Sequence, residues 1–214
     1  MCLLFASCTS DTRNIEKGEA SLRLGDYGMA IRFFEEVLHR NPENFNARLG
    51  MGKAFLQQAS QQPDDSALWA NALTHLEAAR TLHPESAIVD QLLSEAWIVN
   101  ARRLLDAKDT VSALGALSRA IDLHPKSNEA LNLAGIIYFR MGDVNKARLL
   151  FDRALSADTT RSFTWFNIGM LCWAVKDVHC ARNAWFKALE LAPEDKDIVY
   201  WFSVAEKKMQ ELTP

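Results

Sequence analysis

The sequence predicts an all-α fold made of five helix–turn–helix hairpins in tandem and one closing C-terminal helix. Two observations carry this. Residues 128–161 and 162–195 read as one segment written twice and superpose without a gap. Gly135 meets Gly169, Ala147 meets Ala181, Phe151 meets Trp185 and Ala154 meets Ala188. The period, about 34 residues, is that of a two-helix unit. The second observation is that each column has a packing reason. Antiparallel helices approach closely only where side chains are small, so Gly135 and Ala147 are expected at the crossing of the fourth hairpin. Phe151 fills the space beside that contact, and Ala154 admits the next hairpin. Gly142-Asp143 supplies the turn, and Lys176-Asp177 does so in the second copy without a glycine. Pro193 ends the second helix of the fifth hairpin. The fourth has Thr159 in that column, where Asp158-Thr159-Thr160 offers N-cap side chains to the helix that follows.

The other hairpins follow from the same columns. In residues 11–44, Gly18, Ala30, Phe34 and Pro42 take the places of Gly135, Ala147, Phe151 and Thr159. The first helix there is polar (Asn14, Lys17, Ser21), which suits a terminal repeat with one face in water. Residues 45–86 carry Gly52, Ala72, Leu76, Ala79 and Pro84. Between their two helices, Gln57–Ser66 (QQASQQPDDS) is expected to be a polar surface loop, a tolerated insertion or a partner-binding one. Residues 94–127 align through Ala101, Ala113, Leu117, Ala120 and Pro125, with Ala101 in place of the glycine. Residues 87–93 fit no column. They most simply lengthen the first helix of this repeat, to run from Ala87 to Asp106. After residues 162–195, residues 196–214 hold the closing helix, in which Ile198, Trp201, Phe202 and Ala205 form an apolar stripe.

These columns identify a resemblance to the tetratricopeptide-repeat (TPR) family from Asp11 to the end. It implies a right-handed α-α superhelix, the TPR solenoid, with a capping helix at its end. In that family the first helices line a concave groove that holds a segment of another protein. Carried over by position, the groove-facing residues here include Leu49, Lys53, Leu56, Ile98, Val99, Arg102 and Leu105 in the second and third repeats. Asn132, Ile136, Phe139 and Arg140 follow, then Phe166, Asn167, Met170 and Trp173, and Tyr200, Trp201 and Val204 on the last helix. The row becomes aromatic towards the C-terminus, a composition that suits protein contact. Side chains that only pack between first helices would give the same pattern. Some family members grip a C-terminal carboxylate with Lys, Asn and Arg. The matching positions here are Ile15, Glu19, Gly50, Glu95 and Val99, so that clamp is missing.

The composition fits an ordinary globular chain with 49% hydrophobic residues. A net charge of -3 without basic runs argues against nucleic acid as the main partner. No phosphate loop, nucleophile elbow or zinc-protease motif occurs, so an enzyme is not expected and no cofactor or metal is implied. His83 and His124 share a column at helix C-termini, where a histidine is favourable. Cys172 and Cys180 flank a turn beside His179. Cys172 stands in a packing column with Tyr138 and Phe55, which favours a buried free thiol, while a cross-hairpin disulfide or a metal or small-ligand site stays open. Residues 1–10 differ from the rest. Leu4-Phe5-Ala6-Ser7-Cys8 resembles the lipobox of bacterial lipoproteins, without a basic segment before it and with a short apolar run. The resemblance implies lipidation of Cys8 and a scaffold of the cell envelope, at the periplasmic face of the outer membrane, similar to pilotins of type IV pilus systems. The alternative is a cytoplasmic interaction module.

Overall fold

The computed structural model describes residues 2–62 and 65–212. Among the described residues the secondary structure is helical throughout. The helices are α1 (Cys2–Arg23), α2 (Tyr27–Arg40), α3 (Phe45–Gln61), α4 (Ser66–Leu82), α5 (Ala87–Asp106), α6 (Thr110–Leu123), α7 (Asn128–Arg140), α8 (Val144–Ala157), α9 (Ser162–Ala174), α10 (Val178–Leu191) and α11 (Lys196–Leu212). Successive pairs from α1–α2 to α9–α10 pack as hairpins, and α11 packs on α10. The chain divides into two compact units, one ending at His124 and the other starting at Pro125. In the first, Ala30, Phe34 and Val37 of α2 close on Ala47, Met51 and Ala54 of α3. A second layer joins Leu56 of α3, Leu76 and Ala79 of α4, and Val89 and Leu93 of α5. In the second unit one cluster unites Ala147 and Phe151 of α8, Ile168 and Leu171 of α9, Ala181 and Trp185 of α10, and Ala205 of α11.

The glycine column works through a different contact from the one expected. A Cβ placed on Gly135 would lie 2.5 Å from the Phe151 ring, and one on Gly52 would lie 2.5 Å from Leu76. Gly18 faces Phe34 and Gly169 faces Trp185 in the same way. The gap left by each glycine is therefore filled by the large side chain of the second helix, not closed by the small one. Ala147 is fully buried in the cluster, but Phe151 is what Gly135 admits. In the third hairpin Ala101 and Leu117 take these two places and are both fully buried. Phe34 does this twice, because a Cβ on Gly50 of α3 would strike the same ring.

Among the described residues, four hairpin turns share one chemistry. The residue after the first helix is followed by one with positive φ: Gly25 (75°), Lys108 (62°), Gly142 (83°) and Lys176 (64°). That conformation lets the next amide fold back on the helix end. Asp26 N–H donates to Ser21 O at 2.9 Å, Asp109 to Leu104 O at 2.8 Å, and Asp143 and Asp177 to Tyr138 O and Cys172 O at 2.9 Å. Each aspartate then caps the second helix, its carboxylate accepting from Met29, Ser112, Lys146 or Cys180 N–H. The cap bonds hold two of these carboxyls below the usual range. Ser112, through its hydroxyl and then its amide, lowers Asp109; the amide and then the ammonium of Lys146 lower Asp143.

Glycine suits the positive-φ position because a Cβ crowds the following carbonyl, at a cost of about 1–2 kcal/mol for an L-residue. Glycine's greater freedom in the unfolded chain offsets about 0.5–1 kcal/mol of that gain. Lys176→Gly should therefore stabilise the chain by about 0.5–1 kcal/mol in a urea titration. A loss of stability would show that the Lys176 side chain contributes more than its backbone costs.

Two sequence expectations change in the structure. Gln57–Ser66 is mostly helix: α3 runs on to Gln61 and α4 starts at Ser66, so only residues 62–65 connect them. Leu56 and Ala59 are buried and carry the apolar stripe through the polar run, and Ser60 Oγ–H donates to Leu56 O at 3.0 Å. Pro63 and Asp64 lie outside the described residues. The α8–α9 junction does not provide the expected cap. α9 begins after Arg161 with no side-chain cap, while Asp158 accepts from Thr160 N–H and Arg161 Nε–H at 2.9 Å and so orders the turn itself. α1 runs from Cys2 to Arg23. The side chain of Cys8, the expected lipidation site, lies outside the described residues. The lengthened α5 is found between Ala87 and Asp106.

Candidate partner-binding site

The first helices of the second unit, α7 and α9, together with α11, carry most of the expected groove residues. The structure sorts these into buried and open. Asn132 and Asn167 are buried (3% and 8% exposed). Asn132 Nδ2–H donates to Asn128 O at 2.9 Å and to Thr164 Oγ1 at 2.8 Å, and Asn167 Nδ2–H reaches Asn132 Oδ1 at 3.4 Å. Thr164 itself is fully buried. This polar network fixes α7 against α9, so these two asparagines are structural rather than open to a partner. Trp173, expected to face a partner freely, stacks against Trp185 and Trp201 with ring centroids 5.8 and 6.2 Å away. Trp201 in turn lies 5.5 Å from Trp185. The last helix thus covers part of the aromatic row.

What stays open is a smaller set. Ile136, Phe139, Phe166 and Met170 are half-buried, each with one side on the core cluster. Arg140 is exposed, and Tyr200 is 60% exposed with its ring against Trp201. Phe163, which sequence reasoning passed over, is 54% exposed at the start of α9. Together with Ser162, Phe166, Asp195, Asp197 and Ile198 it lines a cavity of about 160 Å³ between the starts of α9 and α11. The only hint in the sequence was a large aromatic outside every small-residue column.

In the first unit Ile98 and Leu56 are buried, Val99 is half-buried and Arg102 is exposed. Ile98 was expected in the groove; its side chain packs inside instead. A separate cleft of about 380 Å³ lies between α1 and α3, walled by Glu19, Leu22 and Arg23 and by Asn46, Leu49 and Lys53.

Cys172 and Cys180 are joined by a disulfide, which corrects the preference for a free buried thiol. The α9–α10 turn brings their Cα atoms to 5.7 Å. Both sulfurs are then committed to each other, and His179 beside them is exposed. Among the described residues no group of three or more His, Cys, Asp or Glu is placed to hold a metal ion. His83 and His124 are the C-cap residues of α4 and α6. No helix among the described residues is long and apolar enough to cross a membrane.

The hairpin geometry and the columns now meet the comparison with known proteins. A family model described as Tetratricopeptide repeat matches residues 15–87 and 98–162. The chain belongs to the tetratricopeptide-repeat family. It is an all-α TPR solenoid of paired helices with a capping helix. It is 22% identical over 221 residues to human protein O-mannosyl-transferase TMTC3, a match covering 98% of this chain and 24% of that protein. The chain spans between 20% and 37% of the length of three curated relatives it matches. Among solved structures it resembles MamA, with 25% identity, 83% of this chain and 95% of that one covered, and a TM-score of 0.56. It also resembles YrrB, described as a TPR protein with an unusual peptide-binding site, at 17% identity, 87% and 89% coverage and a TM-score of 0.56.

Proposed function

We propose that this TPR protein is an interaction scaffold that holds a segment of another protein on the face formed by α7, α9 and α11. The observation that carries this is the half-open aromatic and apolar row, Phe139, Phe166, Met170 and Tyr200, with exposed Arg140 beside it. Such side chains contribute most to binding when a partner dehydrates them. Family membership supports a protein segment as the ligand, and YrrB is a family relative in which a peptide-binding site is described. Peptides selected from a displayed random library against the full chain test the proposal. Tyr200→Ala and Arg140→Ala should each weaken them about tenfold or more without changing helix content. Leu149→Ala and Leu191→Ala, at exposed positions on second helices, should leave them unaffected. The opposite pattern would move the site to the second helices. The narrower reading, an envelope protein anchored through Cys8, rests on Leu4-Phe5-Ala6-Ser7-Cys8 and is decided by metabolic labelling with a fatty-acid probe. The general reading, a TPR interaction module, is the one the family match supports.

A further inference from the structure

We infer that the notch between the starts of α9 and α11 is a socket for one lysine or arginine side chain of a partner protein. The inference rests on the reading above, that a partner segment lies on this face of the second unit. The notch has a volume of about 160 Å³. That admits a single long side chain and not a cofactor or drug-sized ligand, whose sites begin at about 300 Å³. Its apolar lining is Phe163, Phe166 and the buried Ile198. Apolar walls favour an aliphatic stem. The remaining lining groups are the Ser162 hydroxyl and two exposed carboxylates, Asp195 and Asp197. Carboxylates repel an acidic guest, and a purely apolar one would strip them of water without repayment. A cationic head on an apolar stem satisfies both halves of the notch, and it gains further from the face of a half-exposed phenyl ring.

The carboxylates also have duties within the fold. Asp195 Oδ1 accepts from Asp197 N–H at 3.0 Å and Ile198 N–H at 3.2 Å, which caps α11. Asp197 sits in the first turn of α11, where the helix dipole favours an acid. Those duties account for acids at a helix start. They do not account for the uncovered ring of Phe163 beside them. The local charge is also one-sided, since Glu194, Asp195 and Asp197 face only Lys196 in this stretch. Arg161, just before α9, is held by Asp158 at 2.9 Å and so is not the cation of the notch.

The test is an amide-resolved titration of the full chain with four probes: the N-acetyl amides of arginine, lysine, norleucine and glutamate. The two cations should shift Ser162, Phe163, Phe166, Asp197 and Ile198. Norleucine amide should bind several-fold more weakly, and glutamate amide should leave these resonances in place. Asp197→Asn, which spares the Asp195 cap, should weaken the cations by about two- to fivefold. Equal binding of norleucine and the cations, or cation binding indifferent to Asp197→Asn, overturns the socket. Failure of the socket and failure of the partner face are separable. Library peptides that need Tyr200 and Arg140 but ignore Asp197→Asn keep the face and overturn the socket. Arginine amide bound in the notch, with peptides indifferent to Tyr200 and Arg140, keeps the socket and removes the face.

Discussion

Trp185→Ala should lower the unfolding free energy by about 3–5 kcal/mol, among the largest effects of any single truncation in this chain. Trp185 has no exposed surface and stands where α9, α10 and α11 meet. Its ring packs against both Trp173 and Trp201 and fills the gap that Gly169 leaves open. Its indole N–H donates to Phe166 O at 3.1 Å. Alanine would remove the apolar contacts, leave a cavity and deprive that carbonyl of its donor, a further cost of about 1 kcal/mol within the total. Trp185→Phe should lose less, because a ring remains against Gly169. The measurement is a guanidinium titration followed by tryptophan fluorescence and far-ultraviolet circular dichroism together, since repeat arrays need not unfold in one step. A change below about 1 kcal/mol would mean that the three helices do not depend on this wedge.

Gly135→Ala and Gly115→Ala should change stability in opposite directions although both lie inside helices. Helix propensity alone favours alanine at either site by about 0.5–1 kcal/mol. At Gly115 in α6 a Cβ meets nothing within 4 Å, so this gain should appear in full. At Gly135 the new methyl would lie 2.5 Å from Phe151, whose ring is buried in the cluster and has no open side to move into. Overpacking of this kind costs about 1–3 kcal/mol and outweighs the propensity gain. Denaturant midpoints measured on both variants check the pair. If Gly135→Ala is as stable as the parent, the glycine gap is not filled as described.

The hairpins were legible in the sequence because their signature is local and periodic. A small residue on one helix and a large one on the next recur at fixed spacing, and the capped turns fall between them. The length of α5 was legible for the same reason, since seven surplus residues make two helical turns. The candidate site was less legible. A column tells which way a side chain points but not how near the neighbouring first helix comes. Asn132 and Asn167 look like surface residues by type, yet Thr164 across the interface satisfies Asn132 and leaves both amides inside. Trp173 points where expected, but α11 lays Trp201 over it. Gln57–Gln61 read as loop from its polarity because the buried Leu56 and Ala59 are too few to show a stripe against three glutamines and a serine. The disulfide was hidden because a cysteine in an apolar column is explained equally well by burial.

Phe34 carries a consequence for how the array comes apart. One ring stands against Gly18 of its own hairpin and Gly50 of the next. The seam between the first two hairpins is therefore not a surface along which they can be cleanly parted. If α1 peels away, the ring loses one wall while it is still lodged against α3, and the exposed edge loosens the second hairpin as well. Fraying that starts at the amino end would then pass from the first hairpin into the second, as in a zipper whose first two teeth share one pin.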